Sequence, residues 1–195
     1  MAKQIWKAGN MIYPLPVVMV SVTDGKGKDN IITVAWTGTV CTNPAMAYIS
    51  VRPERHSYGM LKATKEFVIN LTTKDLSRAT DYCGVKSGRE VDKFSEMGLT
   101  KEKAANVKAP MIKESPVNIE CRVKEVIPYG SHHMFVAEVL AVHADEAYMD
   151  YKGGFDLSKA EPIVYSHGEY YTMGKKIGKF GYSVAKKKKR QSKKR

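Results

Sequence analysis

Short apolar runs that are rich in β-branched residues recur along the first part of the chain. They lie at residues 17–22, 31–36, 45–51 and 67–71, and each is bounded by Gly, Pro, Asn or Asp. Such runs are typical of β-strands. The first two are separated by Asp24-Gly25-Lys26-Gly27, whose residues tolerate a positive φ angle. The pattern therefore predicts that the first two strands form an antiparallel hairpin.

A second and longer hairpin is predicted in the later part of the chain. Apolar and polar residues alternate from Val117 to Val123, and a further long segment follows at 133–143. The turn-forming residues Pro128-Tyr129-Gly130 stand between the two segments. They are expected to pair as two long antiparallel strands.

Helical patterns are fewer and shorter. Ser57 is placed to cap a helix that ends near Thr64, and Thr73 is placed to cap one that ends at Gly84. A third helix is expected over residues 91–97, where apolar residues recur at helical spacing. Six or more strands without regular strand–helix alternation favour a mostly β fold, namely an antiparallel barrel with a few short flanking helices.

Length and cysteine content narrow the class of protein. A chain of 195 residues with 43% hydrophobic residues is expected to form one domain around one core. It contains neither a secretory leader pattern nor an apolar run long enough to cross a bilayer, so we expect a soluble, cytoplasmic protein with no membrane contact. Cys41, Cys83 and Cys121 show no metal-binding spacing, so no metal site is predicted and the thiols are expected to be buried and reduced.

The charge of the chain is concentrated at its end. The formal net charge is +12, and eight positive charges lie in residues 186–195, which leaves +4 on residues 1–185. A run of like charges without apolar residues cannot pack, so residues 186–195 are predicted to be a basic disordered tail on a domain of residues 1–185. A solubilising role is favoured, and transient contact with nucleic acid or acidic partners stays open.

Common enzymatic motifs are absent from the sequence. There is no G-x-G-x-x-G after the first strand, and no G-x-x-x-x-G-K-[ST], H-E-x-x-H or G-x-S-x-G. Nucleotide-dependent and hydrolytic chemistry on those scaffolds is therefore not expected.

Two segments carry residues suited to a phosphorylated ligand. Small polar residues fill positions 33–44 after an apolar strand, and the next strand leads into Arg52, Arg55 and Ser57 at a predicted helix start. Guanidinium groups bind phosphate through paired hydrogen bonds, and the free N–H groups of a first helical turn favour an anion. The alternative is that Arg52 and Arg55 only form ion pairs with Glu54 or Glu66.

The order of several segments resembles the flavin reductase-like, FMN-binding split-barrel family, and in particular its flavoredoxin branch. The resemblance covers most of residues 10–180 and is carried jointly by six segments. These are Tyr13-Pro14-Leu15-Pro16-Val17, Asn30 to Trp36, Asn43-Pro44, Ser50 to Ser57, Phe67-Val68-Ile69-Asn70 and Gly130 to Val139.

The resemblance implies a six-stranded antiparallel Greek-key split β-barrel, normally a homodimer with FMN at the subunit interface. Residues expected near the isoalloxazine ring and ribityl chain are Ala35, Trp36, Thr37, Gly38 and Thr39. Residues expected near the ribityl chain and phosphate are Ser50, Val51, Arg52, Arg55 and Ser57. For Trp36, a place in the core is favoured over a stacking role, because aromatic residues dominate β cores.

Lys93 and His132 are assigned by the same resemblance, whereas His167 is suggested by its own segment and is equally compatible with an ordinary loop histidine. Lys93 lies in a segment similar to one that approaches the flavin. His132, in Gly130-Ser131-His132, is the candidate catalytic residue, because the similar Gly-Asp-His segment of the reductases places its histidine close to the flavin or nicotinamide. Ser131 replaces the acid of that segment, which leaves nicotinamide use open. His167 lies in a turn-rich segment that could close over the site.

The predicted function is that of an FMN-dependent oxidoreductase. Electrons would pass from NADH, NADPH or a protein donor through FMN to a flavin, a metal complex or an electron-transfer protein partner. Two alternatives stay open. One is a non-catalytic flavin-binding module on the same barrel. The other is a nucleic-acid-binding β-barrel that uses its basic tail.

Overall fold

A computed structural model describes residues 1–185, and the predicted tail at 186–195 lies outside these described residues. The fold is mostly β, as predicted. The strands are β1 (Leu15–Pro16), β2 (Val18–Thr23), β3 (Asp29–Val34), β4 (Thr37–Thr42), β5 (Ala45–Val51), β6 (Glu66–Leu71), β7 (Lys101–Glu102), β8 (Met111–Ile112), β9 (Val117–Tyr129), β10 (His132–Ala144), β11 (Ile163–Ser166) and β12 (Glu169–Thr172).

The main sheet is antiparallel and has the strand order β3-β2-β6-β9-β10-β5-β4. Strands β3 and β4 form its two opposite edges, yet only Ala35 and Trp36 join them. A link of that length spans only about 10 Å. The two edges must therefore lie close together, and the sheet curls into a barrel that is split between β3 and β4.

The main sheet has seven strands where six were expected. The additional strand is β4, whose residues 37–42 were expected to form part of a ligand-binding stretch. Its Thr and Val residues suit an extended backbone, and β4 pairs with β5 through Thr37 and Ile49. The class of fold, an antiparallel split barrel, is as predicted.

Both predicted hairpins are confirmed. Strands β2 and β3 pair in antiparallel register from Val18 with Val34 to Thr23 with Asp29. Strands β9 and β10 form the second hairpin, each over 13 residues. The barrel interior is filled by apolar side chains from these strands and their neighbours, with Phe67 and Phe135 fully buried.

Three α-helices flank the barrel, namely α1 (His56–Thr64), α2 (Ser77–Val85) and α3 (Lys93–Glu96), together with 3₁₀ helices at Glu146–Tyr148, Leu157–Ala160 and Tyr182–Val184. Three predicted helix boundaries are wrong. Thr73 does not cap α2, because the helix begins only at Ser77 and Leu76 occupies the N-cap position. Ser57 does not cap α1, because the helix begins earlier and the Ser57 side chain is turned inward to Asn30. Gly84 lies inside the last turn of α2, which ends one residue later.

Apolar packing outside the barrel holds α2 and α3 against the sheet. Side chains of α2 and α3, including Cys83 and Phe94, pack against Met19 and Ile31 on the outer face of β2 and β3. Three helix ends meet beside the split, namely the start of α1, the end of α2 and the start of α3. No helix within residues 1–185 has the length and apolar character needed to span a membrane.

Candidate functional site

A hollow of about 360 Å³ opens at the split of the barrel. The parts of the chain that border it include the end of β3 and its link to β4, the end of β5 and the segment after it, the start of β10, the end of α2, and the hairpin of β11 and β12. Its lining residues are Val17, Ile32, Thr33, Val34, Ala35, Trp36, Ser50, Arg52, Arg55, Asp81, Gly84, Val85, His132, Tyr165, Gly168 and Tyr170. We call it the first hollow.

Aromatic rings mark one side of the first hollow. The ring centroids of Trp36 and His132 are 4.3 Å apart, and the planes are tilted by 46°. Trp36 is 37% exposed, so its favoured assignment to the core is wrong. Trp36 lines the first hollow instead, where its indole offers a surface for another ring.

The pKa of His132 is lowered in this position. Burial lowers its pKa below 6.5, and the positive charge of Arg52 lowers it further. Its Nδ1 atom lies 2.9 Å from the Ser131 hydroxyl. The imidazole is therefore mainly neutral at pH 7 and can both donate and accept a hydrogen bond.

A second hollow, of about 210 Å³, adjoins the first and shares four lining residues with it, namely Ile32, Arg52, Arg55 and Gly84. Its lining is rich in cations: Arg52, Arg55, Lys86, Arg89 and Lys93, against the single carboxylate of Glu54. This excess of positive charge beside an aromatic hollow fits a ligand with a ring at one end and a phosphate at the other.

The arginines differ in how they are held. The Nε atom of Arg52 lies 2.8 Å from Oε1 of Glu54, which confirms the ion pair considered as an alternative for this residue. Arg55 donates to the Gly84 carbonyl at 3.5 Å and forms no ion pair within residues 1–185. Glu66 is engaged by Arg122 instead. Of Arg52 and Arg55, Arg55 is thus the guanidinium more available to a phosphate.

Lys93 lies at the floor of the second hollow and is almost fully buried. Its Nζ atom donates to the carbonyl oxygens of Ile31 and Cys83, both at 2.7 Å. Burial lowers the pKa of Lys93 to about 8; the Cys83 thiol opposes this shift and the Arg55 charge adds to it. The ammonium has three donors, so one remains for a ligand.

Asn30 and Gly88 belong to the second hollow and were not predicted as site residues. Asn30 donates through Nδ2 to the buried Ser57 hydroxyl at 2.9 Å. A Cβ atom at Gly88 would lie only 2.2 Å from Oδ1 of Asn30, so the loop approaches this side chain as only glycine allows. Sequence offered no signal for either, since their contact depends on how the loop crosses β3.

Other predicted residues lie beside the hollows rather than in their lining. The Thr37 hydroxyl donates to the Tyr48 carbonyl at 2.7 Å, and Val51 is buried inside the barrel. Gly38 and Thr39 lie along β4. His167 packs against Tyr13, with ring centroids 4.4 Å apart.

The hairpin of β11 and β12 also contributes to the site. Gly168, in the turn after His167, lines the first hollow. Tyr170 donates to Oδ1 of Asp81 on α2 at 3.1 Å, and burial together with the Asp81 carboxylate raises the pKa of Tyr170 to about 12. This bond ties the hairpin across the hollow to α2. No group of His, Cys, Asp and Glu side chains in the described part of the chain is arranged to hold a metal ion.

A split antiparallel barrel with an aromatic hollow beside a cationic one suits a protein that binds a phosphorylated ring system. A family model, the flavin reductase like domain, matches residues 10–174. The chain therefore belongs to the flavin reductase-like family.

Solved structures and a curated relative agree with this membership. Flavoredoxin of Desulfovibrio vulgaris (Miyazaki F) is 28% identical, with a TM-score of 0.88 over 94% of this chain and 100% of that chain. Flavoredoxin from Methanosarcina acetivorans is 31% identical, with a TM-score of 0.83 and the same coverage. An NADH:FMN oxidoreductase of Rhodococcus erythropolis is 24% identical over 167 residues, 85% of this chain and 79% of that protein.

The resemblance inferred from the sequence is confirmed by these comparisons. The chain is a flavin reductase-like, FMN-binding oxidoreductase, and its fold is similar to that of the two flavoredoxins over 94% of its length. The electron donor, the acceptor and the roles of individual residues are taken up as proposals below.

Proposed function

We propose that this protein takes electrons from a nicotinamide or a protein donor and passes them through FMN to a second flavin, a metal complex or an acidic electron-transfer protein. The observation that carries the proposal is the junction of the two hollows at Arg52 and Arg55. One side offers aromatic surface and the other offers positive charge, in the order that a flavin ring, ribityl chain and phosphate require.

The second hollow would hold the phosphate. Arg55 has no carboxylate partner within residues 1–185, Ser57 places a hydroxyl at the start of α1, and Lys93 adds one ammonium donor from below. Hydrogen bonds between charged groups are the strong ones, so this set would supply most of the preference for FMN over riboflavin.

The first hollow would hold the flavin ring. Ala35 and Trp36 border it from the short link between β3 and β4, while Ser50 borders it from β5. Because the Ser50 N–H donates to the Trp36 carbonyl at 2.8 Å, the link is fixed in place. Bound FMN supplies the redox chemistry, and the chain supplies position and electrostatics.

His132 would orient the reacting pair or exchange a proton with it. It lies in the first hollow beside Trp36, and its lowered pKa keeps the imidazole neutral and able to accept a proton near pH 7. The NADH:FMN oxidoreductase relative supports a nicotinamide as the donor. His167, in the turn next to Gly168, would close over the flavin from the β11–β12 hairpin.

We further propose a homodimer whose interface completes the FMN groove. Trp36, which lines the first hollow, and Val40, on the adjoining edge strand β4, are both exposed apolar side chains, and β4 carries Gly38 and Thr39 between them. Large exposed apolar surfaces mark association sites. In such a dimer, β4 at the interface would lie against the flavin. This would give Thr37 to Thr39 the contact with the cofactor that the family resemblance implies.

A reducing compartment such as the cytoplasm is consistent with the cysteines. Cys41, Cys83 and Cys121 are all free. Burial raises the pKa of Cys83 to about 11 and that of Cys121 to about 12, so both thiols stay protonated and unreactive.

The experiment is a visible absorbance spectrum of the protein after addition of FMN and desalting, followed by anaerobic NADH and NADPH in the same cuvette. We expect retained flavin bands that bleach rapidly with one nicotinamide. Retained bands that neither nicotinamide bleaches would contradict the nicotinamide donor and favour a carrier fed by another protein. Loss of all flavin on desalting, with no saturable FMN binding by titration, would overturn the proposal.

A further inference from the structure

A third hollow, of about 770 Å³, lies on the outer side of the second. Arg55, His56, Gly88 and Arg89 line both, so the two adjoin at the start of α1 and at the loop after α2. A group attached to a phosphate in the second hollow would therefore leave it toward the third.

The third hollow has an excess of positive charge. Lys26 and Lys28, from the turn between β2 and β3, join Arg55 and Arg89 in its lining. None of the four forms an ion pair within residues 1–185. The one carboxylate in the lining, Asp24, is turned onto the backbone N–H groups of Lys26 and Lys28, at 2.7 and 3.0 Å.

The remaining lining is suited to an uncharged ring. Pro53, Tyr58, Met60 and Ala63 contribute apolar and aromatic surface. Tyr58 is held in place because its hydroxyl lies 2.7 Å from Nδ1 of His133 and its ring packs edge-on against Phe135. Unpaired cations next to apolar surface match a phosphate attached to a nucleoside.

We propose that the third hollow is a subsite for an adenosine phosphate group. The inference rests on the proposed function, because the group would be either the adenylate of FAD, joined to the phosphate in the second hollow, or the phosphate-bearing adenosine of NADPH. In either case Lys26 and Lys28 contact the additional phosphate, and the apolar side of the hollow receives the adenine.

The test compares the wild-type chain with a Lys26→Gln/Lys28→Gln double variant. Dissociation constants for FMN and FAD are measured with the flavin-free protein, and those for NAD⁺ and NADP⁺ with the FMN-loaded protein. The charge-matched control is Lys103→Gln/Lys113→Gln, whose exposed lysines line none of the three hollows.

The Lys26/Lys28 variant is expected to bind FAD or NADP⁺ about tenfold more weakly, with the affinities for FMN and NAD⁺ changed no more than in the control. A loss confined to FAD assigns the subsite to the flavin, and a loss confined to NADP⁺ assigns it to the nicotinamide. Unchanged affinities for both, or an equal loss for FMN and FAD, overturn the inference. Wild-type protein that binds no FMN would instead contradict the proposed function itself.

Discussion

The proposed binding of a phosphate depends on a few cationic side chains of the second hollow. Arg52 is paired with Glu54, whereas the one partner of the Arg55 side chain in the described part of the chain is the Gly84 carbonyl. Lys93 is buried with two of its three donors used. A positive charge that is held in place without a carboxylate partner is available to an anionic ligand. Substitutions of Arg55 and Lys93 therefore test the proposed phosphate site most sharply.

Replacement of Arg55 by alanine should weaken FMN binding and leave riboflavin binding unchanged. Loss of a charge-assisted contact to phosphate corresponds to an increase of about 10- to 100-fold in the dissociation constant. Quenching of flavin fluorescence measures both ligands. Arg78→Ala is the control, since this exposed arginine lines neither the first nor the second hollow. A similar loss for FMN and riboflavin would show that Arg55 acts on the fold rather than on the phosphate.

Lys93 should make FMN binding depend on pH. Because its pKa is about 8, the ammonium loses its proton as the pH rises through 8, while the flavin phosphate is already fully ionised. The dissociation constant for FMN should therefore increase between pH 7 and pH 9.5. In Lys93→Met this increase should be absent, and riboflavin should show none in either protein. A parallel pH dependence in wild type and variant would refute the role of Lys93.

At the scale of elements, the sequence predicted strands and hairpins better than it predicted loop contacts. The β2–β3 and β9–β10 hairpins followed from alternation and turn residues, which are local. Gly88 and Asn30 could not be found that way, because their contact joins a loop to a strand almost 60 positions away. Trp36 was misplaced for a related reason: local pattern assigns an aromatic residue to the core, whereas the barrel split exposes it.

Gly88→Ala tests whether the loop after α2 must approach β3 closely. The added Cβ would collide with Oδ1 of Asn30 and push the loop away from the second hollow. We expect a loss of about 1–3 kcal/mol in the free energy of unfolding, measured by denaturant titration, together with weaker FMN binding. Gly59→Ala is the matched control, because a Cβ there meets nothing within 4 Å and alanine favours the helix. Equal stability of the two variants would contradict the proposed packing.

At the scale of the whole molecule, fold class and family could be predicted from the sequence, but the site only in outline. Arg52, Arg55 and Ser57 were predicted from their own residue pattern, Lys93 and His132 from the family resemblance, and all five line the hollows. Tyr165, Tyr170 and Asp81 were not, because they reach the first hollow from segments far apart in the chain. The sequence alone does not indicate which distant segments come into contact in the fold.

The dimer is the prediction that belongs to this scale. Val40→Asp places a charge on the exposed edge strand β4 and should convert the protein to a monomer that retains less FMN, as measured by light scattering after size-exclusion chromatography. Val142→Asp is the control: this valine is also exposed but lies at the opposite end of β10 from His132. A Val40→Asp monomer that binds FMN as tightly as wild type would contradict the proposal that the dimer interface completes the FMN groove.

The most direct test of the central claim is a side-by-side titration of the wild-type chain with FMN and riboflavin at one salt concentration. The two ligands differ only in the phosphate that the cationic second hollow is proposed to bind. The account predicts that FMN binds at least about tenfold more tightly, and that the difference shrinks as salt is added. Equal affinities for the two flavins at low salt would contradict it.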